Sequence, residues 1–393
     1  MKVRDNGESI GLFEPLIVSQ GARSRPGLDS LAASLADKTL HLSSTTTSPL
    51  AGAFAHILAI ANSHFSNLIE GHYTRPVDIE RAMRGDYSCD DKERAFQIEA
   101  VAHIAVQDWI DAGASGYLPF SMDSICEVHK RLYSLVPSSF LDVADGTDQT
   151  IRMQPGAIRL RDVQVGRHIA VSPGAVPRYL KRMEQAYNST RRIEQIVIAA
   201  CGHHRLLWVH PFLDGNGRVA RLVSHSALTS ATGTKILWSI SRGLARREKE
   251  YKMHLQACDE PRRGSLDGRG SLSEGALAAF TQFFLETSIE EVEFICDLLE
   301  PEKLKGRLLT WVHEQIHEGS LPPETGVALP AILELGQMEP PEIAVLPGLN
   351  ESLAQRLAAA LTDHGILQSE GAGSRLKLVL PVGLADRLLV GIF

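Results

Sequence analysis

Apolar residues recur at helical spacing along most of this chain. One such run lies between positions 50 and 70 and ends at Gly71, which predicts a helix over that range. The same spacing predicts helices over 91–111, 178–188 and 193–208. The last of these is so apolar that we expect it to lie at the centre of the fold. The buried face of the 50–70 helix is expected to carry Phe54, Ile57, Leu58, Ala61, Phe65, Leu68 and Ile69.

One segment departs from the helical pattern. Residues 158–171 alternate apolar and polar positions around a glycine, at Ile158 and Leu160 and then at Val163 and Val165, which predicts a short β-hairpin. Residues 1 to about 50, by contrast, hold few strong periodic signals, and the run at 43–49 is expected to be a loop that ends at a helix start.

The composition changes after Pro301. A helix is predicted over 302–317, then a short helix at 341–346 and a longer one at 352–364. An alternating tail from Arg375 follows a Gly-Ala-Gly turn. This order of elements predicts a winged helix. The expected fold is therefore mainly α-helical, with an N-terminal helical region (1–110), a core (111–300) and a winged-helix-like domain (301–393).

Charge and cysteine content narrow the protein class. The 393 residues include 40 Lys and Arg and 47 Asp and Glu, for a net charge of −7. This argues against a surface built wholly to coat nucleic acid or anionic membrane. Five scattered cysteines fit reduced thiols better than disulfides. The N-terminus lacks the apolar core of a signal peptide, and no apolar run is long enough to span a bilayer. We therefore expect a cytoplasmic protein without membrane association.

The chemistry is concentrated in one run, His210-Pro-Phe-Leu-Asp-Gly-Asn-Gly-Arg-Val-Ala-Arg221. A glycine-rich loop that leads into a helix N-terminus presents free N–H groups to an anion. Arg218 and Arg221 lie one helical turn apart and are placed to reach the same polyphosphate. Asp214 would repel phosphate unless it held Mg²⁺, and His210 is suited to act as a general base. The loop residues are Gly215, Asn216 and Gly217.

Each of these features alone has an ordinary structural interpretation. A histidine before Pro-Phe is more often structural, and Asp-Gly-Asn-Gly is usually a turn or a calcium loop. The complete run is far more specific, and it resembles the signature His-x-Phe-x-Asp/Glu-Gly-Asn-Gly-Arg-x-x-Arg of the Fic (filamentation induced by cAMP) family. The helix at 125–133, His203 and the segment Ser239–Tyr251 also resemble this family. Neither a Walker-type loop nor a zinc-binding His pair occurs in the sequence.

The resemblance implies a Fic-type helical core with a short β-hairpin flap, and AMP transfer from ATP to a hydroxyl side chain of a target protein. His210 would then be the base, Asp214 the Mg²⁺ ligand, and the loop and arginines would bind phosphates. Tyr251 would lie against the adenine. Lys252 and Asp259 depart from the pattern of many relatives, which leaves the nucleotide preference open. The flap that docks the target would carry Val163, Gln164, Val165 and Gly166.

A second resemblance lies upstream of the motif. Ser66 and Glu70 are one helical turn apart, and Gly71 follows, as in the inhibitory pattern Ser/Thr-x-x-x-Glu-Gly/Asn of the family. The resemblance implies that Glu70 pairs with Arg221 and keeps the γ-phosphate from its productive place. The chain would then be of the type with an intramolecular N-terminal inhibitory helix.

Two other functions stay open at this stage. The same site could remove AMP from a modified protein, or the chain could be a regulator that acts mainly through residues 301–393. The helix predicted at 352–364 would be the recognition helix of the winged helix, and it has a single arginine. These residues therefore favour protein interaction over DNA binding. Many relatives dimerise, which makes a homodimer an expectation from the resemblance alone.

Overall fold

The protein is described by a computed structural model, which covers residues 3–46, 48–114, 116–144, 150–369 and 375–393. The predicted Gly-Ala-Gly turn at 371–373 lies outside these residues. Within the described ranges, no helix is both long enough and apolar enough to cross a membrane. The fold is mainly α-helical, as predicted.

Four helices form the N-terminal region: α1 (Arg25–Thr45), α2 (Ser48–Ile69), α3 (Pro76–Met83) and α4 (Asp91–Asp111). The predicted helices at 50–70 and 91–111 correspond to α2 and α4. Few strong periodic signals precede residue 50, yet α1 is a 21-residue helix there. The loop expected at 43–49 is wrong for most of its length, because α1 extends to Thr45 and α2 begins at Ser48. The buried residues of α1 include alanine and threonine beside leucine, so its apolar stripe is weak in the sequence although it packs against the core.

Seven further helices complete the region up to residue 298. They are α5 (Met122–Ser134), α6 (Val176–Ala186), α7 (Arg192–Val209), α8 (Asn216–Thr232), α9 (Ile240–Arg246), α10 (Glu248–Cys258) and α11 (Glu274–Leu298). The helix predicted as central is α7, which is buried on nearly all sides from Ile196 onwards. It packs along α8, and the loop between these two helices carries the predicted motif.

Two small antiparallel sheets interrupt the helices. Strands β1 (Asp142–Ala144) and β2 (Thr150–Arg152) pair with each other and were not predicted. Strands β3 (Gln164–Val165) and β4 (His168–Ile169) form the predicted hairpin, with Val165 opposite His168. The hairpin is much shorter than 158–171. Residues 158–163 are not strand, because the Arg159 main-chain N–H donates to Pro211 O at 2.9 Å instead of to a neighbouring strand.

The C-terminal region begins with α12 (Pro301–His317). It continues with α13 (Thr325–Leu335), β5 (Gln337–Met338), α14 (Pro340–Ala344), α15 (Glu351–Asp363), β6 (Leu367–Ser369), β7 (Leu376–Leu378) and α16 (Val382–Leu388). The three strands form one antiparallel sheet in the order β5-β7-β6. The predicted helices and the alternating tail are present, whereas the winged-helix assignment and the domain boundaries at 110 and 300 stay predictions.

Candidate active site

The loop between α7 and α8 places the motif residues at one end of both helices. Helix α7 ends at Val209, and His210 follows in the left-handed conformation with a φ of 50°. The Asn216 side chain closes the loop, since its Nδ2 donates to Phe212 O at 2.9 Å and its Oδ1 accepts from Phe212 N at 3.0 Å. The buried Phe212 ring stacks on His129 with the ring centres 3.8 Å apart. The loop is therefore fixed by side chains of its own motif.

His210 is held in the protonation state that a general base needs. Its Nδ1 lies 3.2 Å from Leu207 O. Because a carbonyl oxygen only accepts, Nδ1 carries the ring proton and Nε2 is the basic nitrogen. Burial lowers the pKa of His210 to about 4, so the imidazole is neutral at pH 7.

Glu70 reaches the motif from the end of α2. Its Oε1 accepts a hydrogen bond from Arg221 Nη2 at 2.6 Å, so the predicted pair is present. Ser66 holds the same guanidinium, with Arg221 Nε 2.9 Å from Ser66 Oγ and Nη2 2.9 Å from Ser66 O. Burial alone would raise the pKa of Glu70, but the positive charge and hydrogen bond of Arg221 outweigh it and lower that pKa. Glu70 is therefore ionised at neutral pH.

Arg218 lies deeper, in a network that the sequence analysis missed. Its guanidinium forms an ion pair with Glu99 of α4 and contacts Asp214 Oδ2 at 3.2 Å and the Tyr133 hydroxyl at 2.6 Å. The Tyr133 hydroxyl also lies 3.0 Å from Asp214 Oδ2. Burial, aided by Asp214, raises the pKa of Tyr133 well above its ordinary value, so the phenol stays protonated. Glu99 is buried and lies far from the motif in sequence, so no local pattern marks it as a partner of Arg218.

Two motif glycines are required by close approaches. Gly215 has a φ of 77°, and a Cβ added there would lie 2.4 Å from the Tyr133 hydroxyl. A Cβ on Gly217 would lie 2.2 Å from Glu70 Oε1. Any larger residue at 217 would therefore displace the Glu70 carboxylate from the N-terminus of α8. Gly71, which follows Glu70, has a φ of 82° and ends α2 as predicted.

A cavity of about 900 Å³ opens in front of the motif. The motif residues His210, Gly217 and Arg221 line it, with Glu70 beside them. Its far wall combines the hairpin with one face of α10 and the residues just after it, which contribute Val165, Gly166, Arg167, His168, Ile169, Tyr251, Lys252, Leu255, Gln256, Asp259 and Glu260. The cavity therefore brings together the predicted base His210, Glu70 and the hairpin. Of the predicted nucleotide-binding residues, Gly217, Arg221 and Tyr251 line it, whereas Gly215, Asn216 and Arg218 do not.

Tyr251 and Asp259 are held from behind by the two histidines of α7. The Tyr251 hydroxyl lies 2.7 Å from His203 Nε2, and Asp259 Oδ1 lies 3.1 Å from His204 Nε2. Both imidazoles are buried, and burial lowers the pKa of His203 to about 3. The two histidines therefore fix this wall of the cavity from behind.

The predicted Mg²⁺ site consists of one carboxylate, that of Asp214, and not of a cluster of protein ligands. The described residues contain no group of three or more His, Cys, Asp or Glu side chains arranged to hold a metal. The Asp214 side chain is 47% exposed, and both of its contacts engage Oδ2, which leaves Oδ1 available as a ligand. Mg²⁺ commonly takes one or two carboxylates and completes its shell with phosphate and water, so a single aspartate fits.

Comparison with known proteins agrees with this site. Residues 119–228 match the family model described as the Fic/DOC family. This segment, which carries the motif, resembles the Fic/DOC family. Over 165 residues it is 27% identical to the "Protein adenylyltransferase Fic" of Drosophila grimshawi and 30% identical to that of Drosophila persimilis. These matches cover 42% of this chain but only 31% and 30% of those relatives, so the chain matches about a third of their length.

Solved Fic structures share the fold. A Fic family protein from Desulfovibrio desulfuricans superposes with a TM-score of 0.53 at 15% identity, over 90% of this chain and 96% of that one. Residues 134–508 of Fic-1 from C. elegans give a TM-score of 0.52 at 18% identity, over 68% of this chain and 72% of that one. The Fic-type helical core is thus confirmed, and the roles of individual residues rest on the geometry above.

Proposed function

We propose that the chain is a protein adenylyltransferase that transfers AMP from ATP to a hydroxyl side chain of a target protein and is held back by Glu70. One observation carries the proposal. Three motif residues, His210, Gly217 and Arg221, line the same cavity as Glu70. Glu70 forms the ion pair with Arg221, and His210 there is neutral with Nε2 as its basic nitrogen. The names of the Drosophila relatives support the type of group transferred.

In the proposed reaction, His210 Nε2 takes the proton of the acceptor hydroxyl as its oxygen attacks the α-phosphorus of ATP. An O–P bond forms to the target, the bond from the α-phosphorus to the bridging oxygen breaks, and pyrophosphate leaves with its electron pair. The N–H groups at the start of α8, from Asn216 and Gly217, stabilise the charge that develops on the phosphoryl oxygens. Arg221 binds the γ-phosphate once Glu70 has moved. Asp214 would hold Mg²⁺, which would supply positive charge to neutralise the phosphates of ATP.

The inhibition follows from competition for one guanidinium. Arg221 makes three hydrogen bonds to Ser66 and Glu70, and its side chain is 1% exposed. While these bonds last, the guanidinium is unavailable to the γ-phosphate and the Glu70 carboxylate repels that phosphate. ATP is then bound with its α-phosphate out of line for attack.

The type of group transferred is tested with ATP labelled either on the α- or on the γ-phosphate. The Glu70→Gly protein is incubated with each nucleotide, with Mg²⁺ and with a cell lysate as a source of targets. The proposal predicts protein-bound label from the α-labelled nucleotide alone. Label from the γ-phosphate would identify a kinase-type transfer instead and would contradict the proposal.

A further inference from the structure

Arg159 is a buried arginine whose hydrogen bonds all go to backbone carbonyls of the described residues. Arg159 as a whole is 2% exposed. The guanidinium donates from Nε to His210 O at 2.7 Å, from Nη1 to Arg161 O at 2.8 Å and from Nη2 to Val171 O at 2.5 Å. The three carbonyls belong to the catalytic loop and to the segments on either side of the hairpin.

Burial of a charged guanidinium away from water lowers the free energy of unfolding. Burial lowers the pKa of Arg159 to about 10, so the guanidinium is still charged at neutral pH. The charges of Asp162 and Glu8 favour its protonated form from nearby, but its hydrogen bonds go to carbonyl oxygens and none goes to a carboxylate. A planar guanidinium bridges three acceptors at fixed angles, which a lysine ammonium cannot do. A role in fixing the loop and the hairpin in position therefore explains Arg159 better than a contribution to the free energy of unfolding does.

His210 has an unusual backbone that needs such support. It is the one residue other than glycine with a positive φ in the part of the chain that the structure describes. A side chain in the left-handed region is unfavourable and persists only when the surroundings hold it. The His210 N–H is fixed by Leu206 O at 3.0 Å, and its carbonyl is fixed by Arg159.

The same arginine ties the hairpin to the base. Arg161 and Val171 stand before β3 and after β4, so Arg159 joins both arms of the hairpin to the residue that carries the imidazole. A second link runs from His168 Nε2 to Trp208 O at 2.7 Å. The hairpin and His210 are therefore held as one unit.

We propose that Arg159 is a positioning residue that holds His210 in its left-handed conformation and sets the position of the hairpin relative to the base. The inference rests on the proposed AMP transfer, for which it assigns the residue that aligns the acceptor hydroxyl with His210 Nε2. Arg159 does not line the nucleotide cavity. It lines a separate cavity of about 470 Å³, together with Met153 and Leu213. Its loss is expected to impair the transfer step and to leave ATP binding unchanged.

The test uses the Glu70→Gly protein as parent, with Arg159→Ala and Arg159→Lys added separately. The matched control is Arg205→Ala, because Arg205 is equally buried and donates to the carbonyls of Pro15 and Cys258. Its Nη1 also lies 2.8 Å from His204 Nδ1, behind the wall of the nucleotide cavity, but its hydrogen bonds reach neither His210 nor the hairpin. We expect Arg159→Ala to lower kcat about 100-fold, the scale of a misplacement of about 1 Å, with ATP affinity unchanged. Arg159→Lys is expected to restore part of kcat. Arg205→Ala is expected to lower the thermal midpoint while keeping kcat per folded molecule.

Chemical rescue separates positioning from folding. Methylguanidinium added to the Arg159→Ala protein is expected to raise kcat, because the 470 Å³ cavity gives it a route to the vacated place. It should leave the parent and the Arg205→Ala protein unchanged. An unchanged kcat in Arg159→Ala, or an equal loss in Arg205→Ala without rescue, would overturn the proposal.

Amide hydrogen exchange tests the role of Arg159 without relying on AMP transfer, so failure of one proposal can be told apart from failure of the other. If the parent itself transfers no AMP, the proposed function has failed, and Arg159 is tested by amide hydrogen exchange. The Ala170 N–H, which donates to Val163 O at 3.2 Å, and the His210 N–H are expected to exchange faster in Arg159→Ala than in the parent or in Arg205→Ala. Equal protection in all three proteins would contradict the positioning role.

Discussion

The Glu70–Arg221 contact gives a graded prediction about the rate of AMP transfer. Removal of the carboxylate by Glu70→Gly breaks one hydrogen bond between two charged groups, 2.6 Å long and partly buried. Hydrogen bonds to charged groups contribute about 1.5–3 kcal/mol, so freeing Arg221 is expected to raise the rate about 10- to 150-fold. The glycine itself is well tolerated, because Glu70 follows the last helical residue of α2.

Glu70→Gln separates charge from shape. The amide keeps an acceptor for the charged Arg221 Nη2 but loses the negative charge, so the attraction between two opposite charges is lost while a weaker hydrogen bond remains. The rate is therefore expected to fall between those of wild type and Glu70→Gly. The assay is the initial rate of AMP incorporation at saturating ATP and Mg²⁺.

The control for the Glu70 variants is a glutamate outside the site. Glu318→Gly removes a glutamate at the C-terminus of α12, outside the site, and is expected to leave the rate unchanged. Equal rates in wild type, Glu70→Gln and Glu70→Gly would refute the reasoning, because the ion pair would then have no effect on transfer.

Three further predictions concern the metal, acid stability and the loop. Asp214→Ala is expected to raise the Mg²⁺ concentration needed for half-maximal activity at least about tenfold, measured by metal titration, by loss of the carboxylate ligand. Burial lowers the pKa of His103 and of His203 to about 3. As the pH falls below about 6.5, the unfolded chain protonates these two histidines while the folded chain does not. Their contribution to the free energy of unfolding is therefore complete above that pH and falls below it by about 1.4 kcal/mol per histidine and pH unit. Chemical denaturation at pH 7.5 and 5.5 tests this. Gly215→Ala is expected to lower the free energy of unfolding by about 1–3 kcal/mol more than Gly113→Ala, because both have a positive φ and only 215 adds a clash with a side chain.

The chemistry of the site was readable from the sequence because it is local. The motif occupies one continuous run, and the i, i+4 spacing of Ser66 and Glu70 placed both on one face of α2. Their contact with Arg221 spans about 150 residues, and it came from the family resemblance and not from periodicity.

The parts that were missed depend on tertiary contacts. Glu99 is one of several charged residues on α4, and nothing in the sequence marks it as the partner of Arg218. Arg159 fell inside an alternating segment that predicted strand, although its main-chain and side-chain donors are used by the catalytic loop. In both cases the partner lies more than 50 residues away, beyond the reach of local patterns.

The central claim is tested most directly with ATP labelled on the α-phosphate, in the presence of Mg²⁺. Wild type, Glu70→Gly, and Glu70→Gly combined with His210→Ala are compared for protein-bound label, with lysate supplied as target. We expect strong label in Glu70→Gly, weak label in wild type and none above background in the double variant. No label in any sample would contradict AMP transfer and would favour AMP removal at the same site, whereas full label in the double variant would show that His210 is not the base.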